Sequence, residues 1–338
     1  MPATDIMFDI ATLQGVVRAL PQPKLGFAAK YFTRVVESAD AEIHFDVEGT
    51  DLRMAPFVSP LVPGKIVEGT GFATKTFRPA YIKDKTPFTA ARALTRRLGE
   101  QIGGEFDPEQ RLALDVATEL SAKLLRLERR LEWMAVQALY NGRVTVQGEQ
   151  YPTTVVDFGR ATGNTVVRTT GNKWGDSGVS PIEDLHQWSG MAETPISDWY
   201  MTRDAYTVFR KDPDTWKRLE LMRGSSTLDT DAVLSRDLVL MGMIDGFRIW
   251  VIPAINVTNE DGSTSPLVPD GTVIGVADAY FEGVRHFGAI QDVNNLKPGS
   301  YFVKSWVEED PSVRYLMLQS APLLVPYRPN STFRATVR

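Results

Sequence analysis

Cysteine is absent from all 338 residues, which removes disulfide scaffolds, thiol catalysis, cysteine-ligated zinc and iron–sulfur clusters together. Histidine is scarce: His44, His186 and His286 lie far apart and form no His-x-x-x-His pair, so neither a metal site nor a cofactor is expected. Positive charge is not in excess either, since 42 acidic residues outweigh 37 basic ones for a net of −5 and a pI near 5.4. That is the wrong balance for an obligate nucleic-acid binder. No stretch approaches the roughly 18 consecutive apolar residues of a membrane span. Met1–Leu20 carries Asp5 and Asp9 without a basic-then-apolar leader, so no membrane partner is expected and the chain reads as a soluble intracellular product. Repeats of fixed period and low-complexity tracts are also missing, which excludes solenoids and propellers.

What is present is a globular composition, 43% hydrophobic and 23% charged, with 21 prolines and 26 glycines punctuating it. The length suits about two domains of ordinary size. Residues 1–56 read as an arm: a helix from Asp9 to Leu20, then Pro21 and Pro23, then an alternating strand over Glu42–Val47. From Phe57 to Phe88, prolines, Gly64, Gly69, Gly71 and the alternation Lys75-Thr76-Phe77-Arg78 predict a long hairpin with a glycine-rich tip. Its charge is locally positive, Lys65, Lys75, Arg78, Lys83 and Lys85 against Glu68 and Asp84.

The clearest element opens at Asp107-Pro108-Glu109-Gln110, a capping box with proline at the first helical position, and stops at Asn141-Gly142. Between them Val116, Leu120, Leu124, Leu127, Leu131, Met134 and Ala138 step by threes and fours along one apolar stripe. Arg111, Glu119, Lys123, Arg126, Arg129, Arg130 and Glu132 mark the opposite face as charged. A helix of this length, roughly 50 Å at 1.5 Å per residue, is read as a coiled coil, a bundle helix or part of an assembly. Arg143–Phe158 predicts a hairpin, Ser180-Pro181-Ile182-Glu183 a capping box opening a helix to Met191, and Asp212-Pro213-Asp214 a helix to Met222. Strands are expected over Phe247–Ile255, Thr272–Val276, Tyr301–Val307 and Val313–Leu318. The sum is an α+β fold without the βαβ rhythm of a doubly wound sheet.

Chemical motifs are few. Gly175-Asp176-Ser177-Gly178 repeats the letters around a serine-protease nucleophile, but Val179 follows where that family has glycine. A serine hydrolase using Ser177 is therefore only a remote alternative, and a surface turn the simpler account. Gly69-Thr70-Gly71 lacks a third glycine and a helix, and Gly64-Lys65 is followed by Ile66 where a phosphate loop needs Ser or Thr. Glu308-Glu309-Asp310, next to Pro311, reads as a solvated turn. Catalysis finds no residues, and the chain is not expected to be an enzyme. An arm, a protruding hairpin and a very long helix are instead the parts of a protein that buries surface against its own copies.

One family carries this combination of pieces. Val58-Ser59-Pro60-x-Val62-x-Gly64, Phe77-x-Pro79-x-Tyr81-x-Lys83 and Leu94-x-Arg96-Arg97-Leu98 lead into the long helix. Leu139-x-Asn141-Gly142-x-Val144, Val156-Asp157-Phe158-Gly159-Arg160, Arg223-Gly224-Ser225 and Leu316-x-Leu318-Gln319-Ser320-Ala321-Pro322-Leu323 follow it. In order and spacing along nearly the whole chain, they resemble the major capsid proteins of lambda-like tailed bacteriophages, the protein E family. The resemblance implies the capsid fold of the Hong Kong phage 97 type: an arm at 1–56, an extended loop at 57–90, and a peripheral domain at 91–160 with its spine helix at 107–141. It further implies an axial domain at 161–300 and C-terminal strands at 301–338 returning to the peripheral domain.

The function so implied is self-assembly, through hexamers and pentamers, into the icosahedral shell that encloses the phage double-stranded DNA. A nanocompartment shell of the same fold is the nearer alternative. Partners would be other copies of the chain, a decoration protein at local three-folds, and scaffold, protease and portal proteins during assembly. DNA would be a neighbour by proximity only. The place of action would be the virion, after assembly in the host cytoplasm. The expected assembly residues are Leu120, Leu124, Leu127 and Leu131 in the spine core, and Lys65, Ile66, Lys75, Phe77 and Arg78 on the loop.

Overall fold

The computed structural model describes residues 8–21, 26–40, 42–48, 72–77, 79, 81–89, 92, 95, 106–148, 151–213, 215, 238–258, 262–295, 298–310 and 312–338. In chain order the first elements are α1 (Ile10–Ala19), α2 (Gly26–Tyr31), β1 (Arg34–Glu37), β2 (Ile43–Glu48), β3 (Phe72–Phe77), β4 (Ile82–Thr89) and α3 (Pro108–Asn141). The hairpin β5 (Arg143–Gly148) and β6 (Tyr151–Asp157) follows, then β7 (Thr165–Val167), α4 (Pro181–Met191), β8 (Asp198–Thr202) and α5 (Arg203–Lys211). Next come β9 (Val239–Ile244), β10 (Phe247–Ile252), β11 (Asn256–Thr258), β12 (Thr264–Pro266), β13 (Thr272–Val276) and β14 (Gly283–Phe287). The chain closes with β15 (Phe302–Glu308), β16 (Val313–Ser320), β17 (Pro322–Pro326) and β18 (Thr332–Thr336). Helices and strands interleave irregularly, an α+β arrangement.

Local chemistry explains where α3 begins and ends. Asp107 accepts the Gln110 amide at 2.8 Å while Gln110 accepts the Asp107 amide at 3.3 Å, and Pro108 spends no donor at the first position. At the other end Gly142 adopts φ 65° and returns its amide to Ala138. A Cβ there would also stand 2.9 Å from the Arg160 side chain, so glycine is required twice over. All seven residues of the apolar stripe are buried. Its first half (Val116, Leu120, Leu124, Leu127) packs with Phe8, Leu13, Val17, Phe88, Val303, Leu316 and Leu318. Its second half (Leu131, Met134, Ala138) packs with Phe27, Tyr31, Phe158 and the β17 side chains Leu323, Leu324 and Val325. One helix therefore belongs to two hydrophobic clusters.

The largest sheet runs β7-β18-β13-β8-β10-β9. Alternation along β8 assigns its faces. Trp199 and Met201 join Trp174, Leu185, Trp188 and Phe209 under α4 and α5, whereas Tyr200 joins Phe27 and Tyr31 of α2 in the cluster shared with α3. A three-stranded sheet, β15-β16-β4, lies against the first half of α3, and another, β1-β14-β17, lies against the second. At Gly283 in β14 a Cβ would meet the Tyr31 carbonyl at 2.4 Å, so only glycine lets α2 and this sheet approach so closely.

Several expectations change. The strand expected within the arm is β2, and it pairs antiparallel with β3, Ile43 opposite Phe77 and Glu48 opposite Phe72. The hairpin therefore starts near residue 43, not at 57, because strand pairing is nonlocal and alternation names no partner. The return strand β4 is not loop at all but an edge of the β15-β16-β4 sheet. The C-terminal segment divides: β15 and β16 return to the α3 side, β17 pairs with β14, and β18 inserts between β7 and β13. Ser180 makes no side-chain cap to α4, which opens instead on Pro181. Asp212 accepts from the Thr215 amide at 2.9 Å; residues 216–222 of the expected helix lie outside the described residues. The charged face of α3 is also not wholly charged outward, since Lys123 and Glu132 are buried.

Candidate assembly surface

Lys123 holds β4, and with it the base of the hairpin region, onto α3. Its ammonium donates to Asp84 Oδ1 at 2.7 Å, Thr86 Oγ1 at 2.7 Å and the Asp84 carbonyl at 3.0 Å. Arg126 reaches the other Asp84 oxygen at 2.7 Å and Glu119 at 3.3 Å. Burial lowers the affinity of Lys123 for its proton, and Asp84 works against that. Burial alone would raise the Asp84 carboxyl, but hydrogen bonds from Lys123 and Arg126 hold it below the usual carboxylate range. β4 is thus docked by charge as well as by Phe88, while Lys83, Lys85 and Pro87 point outward and stay exposed. Lys85 lies over the Tyr315 ring at 4.3 Å.

The arm has its own anchor. Both oxygens of buried Glu132 accept backbone amides at the start of α2, Phe27 at 2.9 Å and Ala28 at 2.7 Å, so the anion occupies the position where helix amides are otherwise unpaired. One turn on, Lys30 donates to the Tyr200 hydroxyl, stands 3.4 Å from Asp198 and lies 4.2 Å over the Trp250 ring. Asp198 is fully buried, yet it accepts from Trp250 Nε1 at 2.7 Å, Ser197 Oγ at 2.9 Å and Arg248. Burial lowers the Lys30 pKa against the pull of Asp198, and burial raises those of Tyr31 and Tyr200. Residues 26–31 are therefore tied to both α3 and the large sheet.

The residues named from sequence divide cleanly. Leu120, Leu124, Leu127 and Leu131 face the interior of this chain. Phe77 is buried, and Lys75 lies on the β3 backbone opposite Phe45. Lys65, Ile66 and Arg78 lie outside the described residues. Ser177 is exposed in a turn between Gly175 and Gly178, both at positive φ, where Asp176 accepts the Lys173 amide. The three histidines are engaged elsewhere: His44 with Thr76, His186 with Asp245 and His286 with Tyr327. Among the described residues no group of three or more His, Asp or Glu side chains is placed to hold a metal ion, and no helix is long and apolar enough to cross a membrane. Sequence reasoning missed Lys30, Asp198, Lys123 and Glu132. For Lys123 a signal existed: it sits three residues after Leu120 and four before Leu127, at core spacing.

One subunit thus combines a hairpin beside a docked arm, a helix running through two clusters and a six-stranded sheet packed against the second of them, and comparison with known proteins says where such a subunit belongs. The family model described as phage major capsid protein E matches residues 9–337. The chain belongs to this family. It is 29% identical over 333 residues to the P21 prophage-derived major head protein of Escherichia coli O6:H1 strain CFT073, covering 94% of this chain and 96% of that one. It is 27% identical over 284 residues to the major capsid protein of Escherichia phage lambda, covering 81% and 82%. A crystal structure described as a candidate capsid protein of an E. coli CFT073 prophage superposes with a TM-score of 0.77 at 19% identity, covering 98% of this chain and 99% of that one. The fold is that of tailed-phage capsid proteins, and the protein is a structural component of a bacteriophage capsid shell.

Proposed function

We propose that this capsid protein assembles through hexamers and pentamers into an icosahedral shell around double-stranded DNA. The observation that carries the reading is the family match from residue 9 to residue 337 on a subunit whose hairpin and arm are anchored at their bases. The α3 side, with β4, β15 and β16, acts as the peripheral domain and the six-stranded sheet as the axial domain. The hairpin, with Lys65, Lys75 and Arg78, reaches over an acidic surface of a neighbour. Scaffold, protease and portal proteins act during assembly in the host cytoplasm, and a small decoration protein binds at local three-folds. The chain performs no catalysis of its own, and Ser177 is a turn residue.

Purified protein examined by negative-stain microscopy should show closed shells or capsomers. Discrete monomers at all concentrations and salt conditions, or a hydrolase activity lost on Ser177→Ala, would overturn the reading. A version with residues 50–70 replaced by a short Gly-Ser turn should remain folded yet form no closed shells; normal shells would remove the hairpin from the assembly mechanism.

A further inference from the structure

The β15-β16-β4 sheet turns one face to α1 and α3 through Val303, Leu316, Leu318 and Phe88. Ladder register sets the residues of its other face in rows: Glu308–Val313–Thr89, Trp306–Tyr315–Pro87, Lys304–Met317–Lys85 and Phe302–Gln319–Lys83. Part of this face is already covered, since Phe302 and Gln319 are buried and Asp292 accepts from Gln319 Nε2 at 2.8 Å and from Lys304. The rest is open: Lys83, Lys85, Pro87, Glu308, Glu309 and Asp310 are exposed, and Trp306 and Tyr315 are half-buried. Lys83 lies over the Tyr81 ring and Lys85 over the Tyr315 ring, but among the described residues neither meets a carboxylate, and Glu308, Glu309 and Asp310 meet no cation. These opposite charges cannot reach each other within one chain. At about 3.4 Å per residue, Lys85 and Lys83 stand roughly 14 and 20 Å from the Glu308 row, whereas an ion pair needs about 4 Å.

Resting on the capsid reading, we propose that two copies of the chain meet through this face, the acidic residues 308–310 of each seated on Lys83 and Lys85 of the other. The Trp306–Tyr315–Pro87 row stands between the acidic row and the basic rows. A two-fold axis lying along the face and crossing the strands at Tyr315 therefore exchanges the two charged ends. Face-to-face sheets pack about 10 Å apart, a gap that a lysine side chain bridges. Charge is then paired at both ends of the contact, and the rings of Trp306 and Tyr315 lose their remaining water in the middle. Such a contact is isologous, and icosahedral symmetry supplies two-fold axes for it. Three strands about 4.8 Å apart and three rows about 7 Å apart make roughly 300 Å² per copy, well short of the roughly 800 Å² that a free dimer buries on each partner. The contact therefore belongs to the shell, where other contacts already hold the copies together.

Introduced cysteines test the geometry, because the chain contributes no thiol of its own. A chain carrying Lys83→Cys and Asp310→Cys, assembled under reduction and then oxidised, should run as dimers on a non-reducing gel and no further, since both disulfides join the same two copies. Monomer alone would mean that the residues do not meet, and a ladder of trimers and larger species would mean a head-to-tail contact; either overturns the proposal. Lys83→Cys alone should stay monomeric, and dimers from it would set lysine against lysine and count against the proposal too. Charge reversal tests the energetics. Lys83→Glu with Lys85→Glu, and Glu308→Lys with Glu309→Lys and Asp310→Lys, should each keep the wild-type circular dichroism while the shell yield falls about tenfold, the effect of a few exposed ion pairs summed. Mixed in equal amounts, the two variants should recover shells, because each then meets its complement across the axis. Single variants that assemble in wild-type yield, or a mixture that stays as poor as its components, overturn the pairing. Wild-type protein that forms no shells would instead defeat the capsid reading on which this contact stands.

Discussion

His286 illustrates how one buried side chain sets a pH limit. It is shielded by the sheet around it and bonded to Tyr327 at 2.9 Å, and burial, followed by the charge of Arg34, lowers its pKa from 6.5 to about 4. Because the unfolded chain takes up this proton near 6.5 and the folded one only near 4, the contribution to stability is whole above pH 6.5 and is lost as pH falls toward 4. The loss amounts to roughly 3 kcal/mol at 1.36 kcal/mol per unit. Urea titrations between pH 6.5 and 4.5 should show it, and His286→Gln should flatten that slope. The Lys123–Asp84 pair gives a second, asymmetric prediction. Lys123 is fully enclosed while Asp84 keeps some solvent and a second cation in Arg126. Asp84→Ala strands a buried ammonium and should cost about 3 kcal/mol or more; Lys123→Met removes that charge and should cost distinctly less. Equal losses in chemical denaturation would place the penalty elsewhere.

At the scale of elements, α3 was legible because everything that makes it is local: the capping box, the proline, the three-and-four spacing and the terminal glycine are all contiguous in sequence. Leu127→Asp puts an unpaired carboxylate among Phe8, Leu120, Leu124 and Leu316, and should leave no soluble folded protein, since the cost is several kcal/mol against a total of about 5–15. Soluble, normally melting protein would show that this part of the stripe can reach water. The strands were legible one at a time but their partners were not. β2 was visible as alternation, yet nothing near Glu42–Val47 says that its partner lies at Phe72–Phe77. The buried charges failed for a related reason. Periodicity says which way a residue points; only the opposing element decides whether a lysine there meets water or an aspartate. The anchor at Asp198 depends on Lys30, Arg248 and Trp250; the last two share one face of β10, but no spacing joins them to Lys30 or to Asp198.

For the molecule as a whole, the absence of cysteine leaves noncovalent contacts, unless a lysine of the hairpin bonds to an asparagine of a neighbour. Asn330, the candidate acceptor near the C-terminal strands, already accepts the Ala161 amide at 2.8 Å within its own chain. Mature particles boiled in detergent should therefore run as one band near 37.6 kDa; a ladder of multiples would prove a covalent link. The position of β18 carries a different kind of consequence. Residues 332–336 form an interior strand of the large sheet, between β7 and β13, so during translation that sheet stays incomplete until position 336 has left the ribosome. Until then β13 keeps one edge open and β7 has no partner, so a nascent chain on a polysome carries an unpaired strand edge that its own last strand has yet to cover.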